Sequence, residues 1–176
     1  MKPHCFQCCQ NGTSCCEGTQ IYLTTGDVLR IARFLNASNF FTFEVPDLIY
    51  TDPGDDPAWI SLTVRPDGCR RVMKRTAGKN CTMLAENGCI LPMTLRPLVC
   101  RLHPYTFTEA GISGVDPACP ISHEDNWPVL LEQLGMAIGE ARRWHQLLYC
   151  ELHTDKTAAC GEDGQEPLPA LEKLSA

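Results

Sequence analysis

Hydrophobic positions along the chain change period several times, and each change marks an element. Ile21-Tyr22-Leu23 is a short apolar run with strand character. Val28, Ile31, Ala32 and Leu35 then recur at helical spacing, and Thr24 or Thr25, with Asp27 three residues after Thr24, supplies a helix-start signature. The pattern predicts an amphipathic helix over residues 26–36. Residues 39–57 are mixed and turn-rich, with Asp52-Pro53-Gly54-Asp55-Asp56-Pro57 as an exposed loop. Ala58, Ile60, Leu62 and Val64 alternate with Trp59, Ser61 and Thr63, which is strand spacing. Pro66-Asp67-Gly68 turns the chain into residues 69–75, so a hairpin is expected there. Asn87-Gly88 is a tight-turn signal that should fold residues 81–91 back on themselves. Pro97 favours the first turn of a short helix, with Cys100 about one turn further on. Trp127, Leu130, Leu131, Leu134, Ala137, Ile138, Ala141, Trp144 and Leu148 follow a helical period, predicting a long helix over residues 126–149. Gly135 and Gly139 lower its propensity. The stretch 154–176, with Pro167, Pro169 and few apolar side chains, reads as a mobile tail.

These elements make an α+β chain: a small irregular cysteine-rich metal-binding domain with short strands and hairpins and a long C-terminal helix. At 176 residues it is one domain with appendages. The expected division is a cysteine-cluster metal-binding domain over 1–125, a long helix packed on it over 126–153, and the tail over 154–176. Hydrophobic residues are 44% of the chain, enough for a core. Twelve cysteines inflate that figure, so the aliphatic core is thinner than it suggests. The formal charge of −6 excludes general nucleic-acid binding, which needs a cationic face. Arg65, Arg70, Arg71, Lys74, Arg75 and Lys79 nevertheless form a local basic stretch over 65–79. It reads as a solvated hairpin face or as a docking surface for an anionic protein partner.

Composition matters most through the cysteines. Five fall in the first sixteen residues, in Cys5-Phe-Gln-Cys8-Cys9-Gln-Asn-Gly-Thr-Ser-Cys15-Cys16. Cys81, Cys89, Cys100 and Cys119 follow on short, turn-rich elements. Thiols at this density coexist either as disulfides in an oxidising compartment or as metal ligands in a reducing one. Met1 to Phe6 leads straight into the cluster without a basic start, an apolar stretch and a cleavage site, and no apolar run is long enough to span a bilayer. The expectation is a cytoplasmic protein, outside the membrane, whose thiols stay reduced and bind metal. Thiolates are soft ligands that suit zinc in a closed tetrahedral site or iron in an iron–sulfur cluster. Cys5-x-x-Cys8 presents two sulfurs from one turn. The adjacent pairs Cys8-Cys9 and Cys15-Cys16 point their side chains apart in extended chain, so they serve two centres, or one sulfur binds while the other packs.

The order of these residues resembles the YkgJ-like cysteine-cluster family, a zinc- or iron-chelating domain of bacteria and archaea. Its pattern runs C-x-x-C, a vicinal C-C pair, a strand and helix, a cysteine before an apolar pair, a Gly-Cys, R-P-x-x-C-R-x-[FH]-P, and a last cysteine before proline. The chain supplies Cys5, Cys8, Cys15, Cys16, Cys81, Gly88-Cys89, Arg96-Pro97-Leu98-Val99-Cys100-Arg101-Leu102-His103-Pro104 and Cys119-Pro120. It departs from the pattern in the longer gap from Cys8 to Cys15, which holds Cys9, and in Ile90-Leu91-Pro92, where relatives often carry an aromatic. The resemblance implies metal binding by Cys5, Cys8, Cys15, Cys16, Cys81, Cys89, Cys100 and Cys119. A branch resembling flagellin lysine N-methylases joins a similar cluster to methyl transfer, and no S-adenosylmethionine motif is evident here.

Arg96 and Arg101 flank Cys100. Four thiolates around a zinc dication, or around an oxidised four-iron cluster, leave a net charge of −2, which guanidiniums beside the sulfurs would offset. An ordinary salt bridge is the plain alternative for both. Cys9, Cys69, Cys150 and Cys160 lie outside the pattern and read as packed thiols, and His103 reads as packing beside the site. Vicinal and surplus thiols favour an iron–sulfur cluster over zinc, because a cluster offers several metal corners. The leading expectation is a metal-binding protein with a structural, storage or sensory role. An iron–sulfur redox or methyl-transfer enzyme comes second, and a disulfide-stapled extracellular interaction module third.

Overall fold

The computed structural model describes residues 15–51 and 56–161. Cys5, Cys8 and Cys9, and most of the expected loop at 52–57, lie outside them. Helix α1 is Thr25–Leu35. Thr24 caps it: its hydroxyl accepts from the Asp27 N–H, and the Asp27 carboxylate accepts from the Thr24 N–H, closing a capping box. Asn36 ends it in the left-handed conformation. The buried face carries Val28, Ile31 and Ala32, the helical stripe of the sequence.

Strand β1, Phe41–Glu44, pairs antiparallel with β2, Arg70–Met73, in the register Phe41 to Met73 and Glu44 to Arg70. Residues 21–23 run along the other edge of β2: Met73 donates to the Ile21 carbonyl, Leu23 donates to the Arg71 carbonyl, and Tyr22 bridges Val72. The turn before β2 forms where expected, with Gly68 at φ +79°. Its partner strand does not. Residues 58–64 are not a strand: helix α2 covers Pro57–Thr63. Asp56 accepts from the Ala58 N–H and Pro57 occupies the first turn, a start signal that outweighs four alternating apolar residues. Trp59 and Leu62 then pack on the core three residues apart, as one helical face.

Strands β3, Leu84–Ala85, and β4, Gly88–Cys89, form the expected fold-back, with Gly88 at φ +96°. Helix α3, Leu98–Leu102, follows Pro97. Strands β5, Tyr105–Thr108, and β6, Gly111–Val115, make a second hairpin with a register shift after Thr106. The single helix expected over 126–149 is two helices. Helix α4 is Trp127–Gln133 and α5 is Ile138–Gly161. Gly135, at φ +73°, breaks them apart, and its N–H donates to the Glu132 carbonyl to close the turn. Helix α5 also carries regular structure eight residues into the expected tail, to Gly161.

The described residues are therefore α+β, with three two-stranded antiparallel pairs, two of them hairpins, and a long C-terminal helix. No helix among the described residues is long and apolar enough to cross a membrane. One core gathers Leu98 and Leu102 of α3 against Leu131, Leu148 and Leu152. A second gathers Leu23, Val28, Ile31, Met73 and Leu91, and the cysteines border it. Acidic residues of α5 hold α1 by its N-terminus. Asp155 accepts from the Thr25 N–H (2.9 Å), and Glu151 pairs with Arg30 (2.5 Å) and accepts from the Thr24 hydroxyl. A Cβ at Gly26 would overlap the Glu151 carboxylate, so a larger residue there would shift the end of that side chain.

Candidate functional site

Three separate segments bring cysteines to one place. Cys16 follows the N-terminal stretch, and its carbonyl accepts from the Cys81 N–H (2.8 Å), which ties the two thiol-bearing segments together. Gly18 repeats the tie, donating to the Lys79 carbonyl. The β3–β4 turn carries Cys89 back beside Cys81, and α3 presents Cys100 from the first turn after Pro97. Cys16, Cys81, Cys89 and Cys100 all belong to the second core, among Ile21, Leu23, Met83 and Leu91.

Burial in this apolar setting pushes the Cys81 thiol up to about 12, with Cys16 and Cys89 adding to the shift. Burial likewise raises Cys89, against the opposing effects of the Leu91 N–H and Arg96. Cys100 is raised well above its ordinary value by burial first, then by Cys16, Cys81 and Cys89. Cys16, Cys81 and Cys89 thus all disfavour ionisation of Cys100, and Cys16 and Cys89 disfavour that of Cys81. Several N–H groups are already turned toward sulfur: Met83 donates its backbone N–H to Cys81 Sγ (3.4 Å). Hydrogen bonds of this kind support thiolates that are charge-balanced by a cation.

The flanking arginines divide. Arg96 hydrogen-bonds the Cys89 thiol and holds the Leu91 carbonyl through Nε (3.1 Å). Arg101 is buried and turned inward: its Nε donates to the Arg96 carbonyl (2.6 Å), and Asp27 and Glu151 are among the charges acting on it. Asp27 also accepts the Leu98 N–H on both oxygens (3.2 Å each), so the α1 cap and the start of the cysteine-bearing helix share one buried carboxylate. The sequence marked Asp27 only as a helix start; nothing local signals a partner seventy-one residues away.

Of the remaining candidates, Cys15 is exposed and Cys119 is buried in the other core. Both line the same cavity as the four clustered thiols. Cys69 and Cys150 lie outside that lining. No disulfide joins any two of the described cysteines. Among the described residues, no three His, Cys, Asp or Glu side chains are arranged as a group that could hold a metal ion. The donor set fits a soft metal by its chemistry, and the side-chain positions do not converge on one.

The cavity has a volume of about 740 Å³ and is half open. Cysteines line part of it. Tyr22, Tyr50, Trp59 and Phe107 line another part, with Arg70, Asp56, His103 and Asp116 among the polar groups. Burial lowers the His103 pKa, which keeps the imidazole neutral. Two residues of the basic stretch, Arg70 and Arg71, are buried, Arg65, Lys74 and Arg75 are half-buried, and Lys79 is exposed. Arg71 pairs with Asp155 (2.7 Å), Arg75 pairs with Glu44 and Asp47, and Arg70 is buried at 1% exposure. Sequence reasoning placed Arg70 on a solvated face; β2 is buried along its whole length, so no alternation could have marked it. Comparison with protein-family models, with curated proteins and with solved structures finds no match for this chain.

Proposed function

We propose that the chain is a metal-binding protein that coordinates an iron–sulfur cluster, or zinc, through its clustered cysteines, as the resemblance to the YkgJ-like family implies. One observation carries the reading: Cys16, Cys81, Cys89 and Cys100, spread over 85 residues of sequence, border one core, and the first three all act electrostatically on the fourth. Four thiols, Cys81 buried and Cys16, Cys89 and Cys100 half-buried, with backbone N–H groups turned to sulfur, are a donor set suited to a soft cation. Cys5, Cys8, Cys15 and Cys119 complete the proposed ligand set, with Arg96 and Arg101 offsetting its negative charge. The metal would supply the positive charge that lets these thiols ionise; the chain's part is to desolvate them and to donate N–H groups to sulfur. A structural, storage or sensory role in a reducing cytoplasm follows.

The test is anaerobic purification with analysis of iron, zinc and acid-labile sulfide. Iron with matching sulfide is expected, and zinc alone under those conditions would overturn the choice of iron. Protein with no metal in any preparation would sink the reading altogether. A second reading is favoured by the cavity, which lies against the thiols and is large enough for a small molecule. In that reading the cluster serves redox or methyl-transfer chemistry on a bound substrate.

A further inference from the structure

Arg70 is the least expected side chain in the molecule. It is a cation buried at 1% exposure, and its Nε and Nη1 have no hydrogen-bond partner. No carboxylate among the described residues pairs with it, whereas its neighbours Arg71 and Arg75 both have acids. The nearest charge acting on it from an acid, Asp47, is already taken by Arg75. Its guanidinium lies 4.6 Å from the centre of the Tyr50 ring and 5.5 Å from that of Tyr22. Such contacts offset part of the desolvation of a cation and leave its N–H groups unsatisfied. A buried charge without a partner is costly, and a hydrophobic residue of similar size would fill β2 better. Arg70 is one of the residues that line the cavity.

We propose that Arg70 anchors the carboxylate of a small organic acid in this cavity, with the apolar body of that acid against the aromatic wall. The wall is continuous: Tyr22 meets Trp59 edge to face at 5.9 Å, and Trp59 meets Phe107 at 6.0 Å. A planar carboxylate matches the guanidinium fork, and flat apolar groups match ring faces and edges. A single negative charge is selected over a phosphate dianion. Arg70 supplies the positive charge at the aromatic wall, Arg96 lies at the cysteine end beside Cys89, and Asp56 and Asp116 line the same cavity and repel a second negative charge. The site does not depend on the cysteines holding metal.

The experiment titrates benzoate and 3-phenylpropionate into the full-length chain, with benzamide and inorganic phosphate in parallel, while arginine Nε–H resonances are followed. At least one of the two acids should shift a single buried arginine Nε–H and bind about tenfold or more tightly than benzamide, as expected for a charge-assisted hydrogen bond in an apolar site. Its ring protons should show close contacts to Trp59 and Phe107, which places the probe without any substitution. Arg70→Met should remove the preference for acid over amide, and Arg70→Lys should restore part of it. Neither acid binding better than benzamide, or phosphate shifting the same resonance more strongly, overturns the proposal. Retention of the acid preference by a folded Arg70→Met variant does the same.

Discussion

Cys81 and Cys100 are thiols whose surroundings oppose ionisation, and this sets the pH behaviour of the candidate centre. Metal binding must displace their protons, so zinc affinity should rise with pH through neutrality. Calorimetry in buffers of different ionisation enthalpy should show protons released on binding. In metal-free protein the sign reverses. Cys81 holds its proton to about 12 when folded, against an ordinary 9.0, so its contribution is complete below 9.0 and lost as pH rises toward 12. Alkaline unfolding should therefore start earlier in wild type than in Cys81→Ser, whose hydroxyl does not titrate there. Substituting serine at Cys16, Cys81, Cys89 or Cys100 should abolish or sharply lower bound metal, whereas Cys69→Ser and Cys150→Ser should keep it. The sequence made Cys81, Cys89 and Cys100 legible as candidates because thiols at this density need a reason to coexist. It could not show that Cys119 reaches the same cavity from the other core, because which core a side chain enters depends on packing between distant segments.

At the scale of elements, caps decided what periodicity could not. Residues 58–64 alternate like a strand, yet Asp56 and Pro57 start a helix. Asp56 also accepts from the Tyr149 hydroxyl (2.5 Å), so the cap doubles as a tie to α5. Asp56→Ala should cost about 1–3 kcal/mol in denaturant unfolding, combining a lost cap with a buried phenol left unpaired. Gly135 decides the other departure. Its left-handed backbone divides a continuous apolar stripe into α4 and α5, and Gly135→Ala should destabilise by about 1 kcal/mol. The stripe itself was read correctly; a low helix propensity at one position does not say whether the helix bends or stops.

Across the whole molecule, α5 is the beam to which the cysteine-bearing parts are tied. Asp155 holds Arg71 and the start of α1, although composition assigned that region to a mobile tail. Asp155→Ala should cost about 2–4 kcal/mol, because it leaves the buried Arg71 charge without that carboxylate. If the proposed centre is structural, chelation should lower hydrogen-exchange protection in residues 15–23 and 81–121 while α5 keeps its own. Unchanged exchange after confirmed metal loss would mean that the fold holds the ligands, and not the reverse.

By itself the sequence determined the local units: the capped α1, the Asn-Gly fold-back that presents Cys89, the short helix after Pro97, and the α+β class. These follow from interactions within a few residues, which a linear pattern records directly. Tertiary structure alone decided that β2 pairs with β1 and not with the segment before it, and that Asp27 reaches Leu98. It also decided that Arg70 and Arg71 of the basic stretch are buried, with Arg70 among the residues of a cavity wall. Each of these joins residues far apart in the chain, and burial of a charge depends on what packs over it, which no local period encodes.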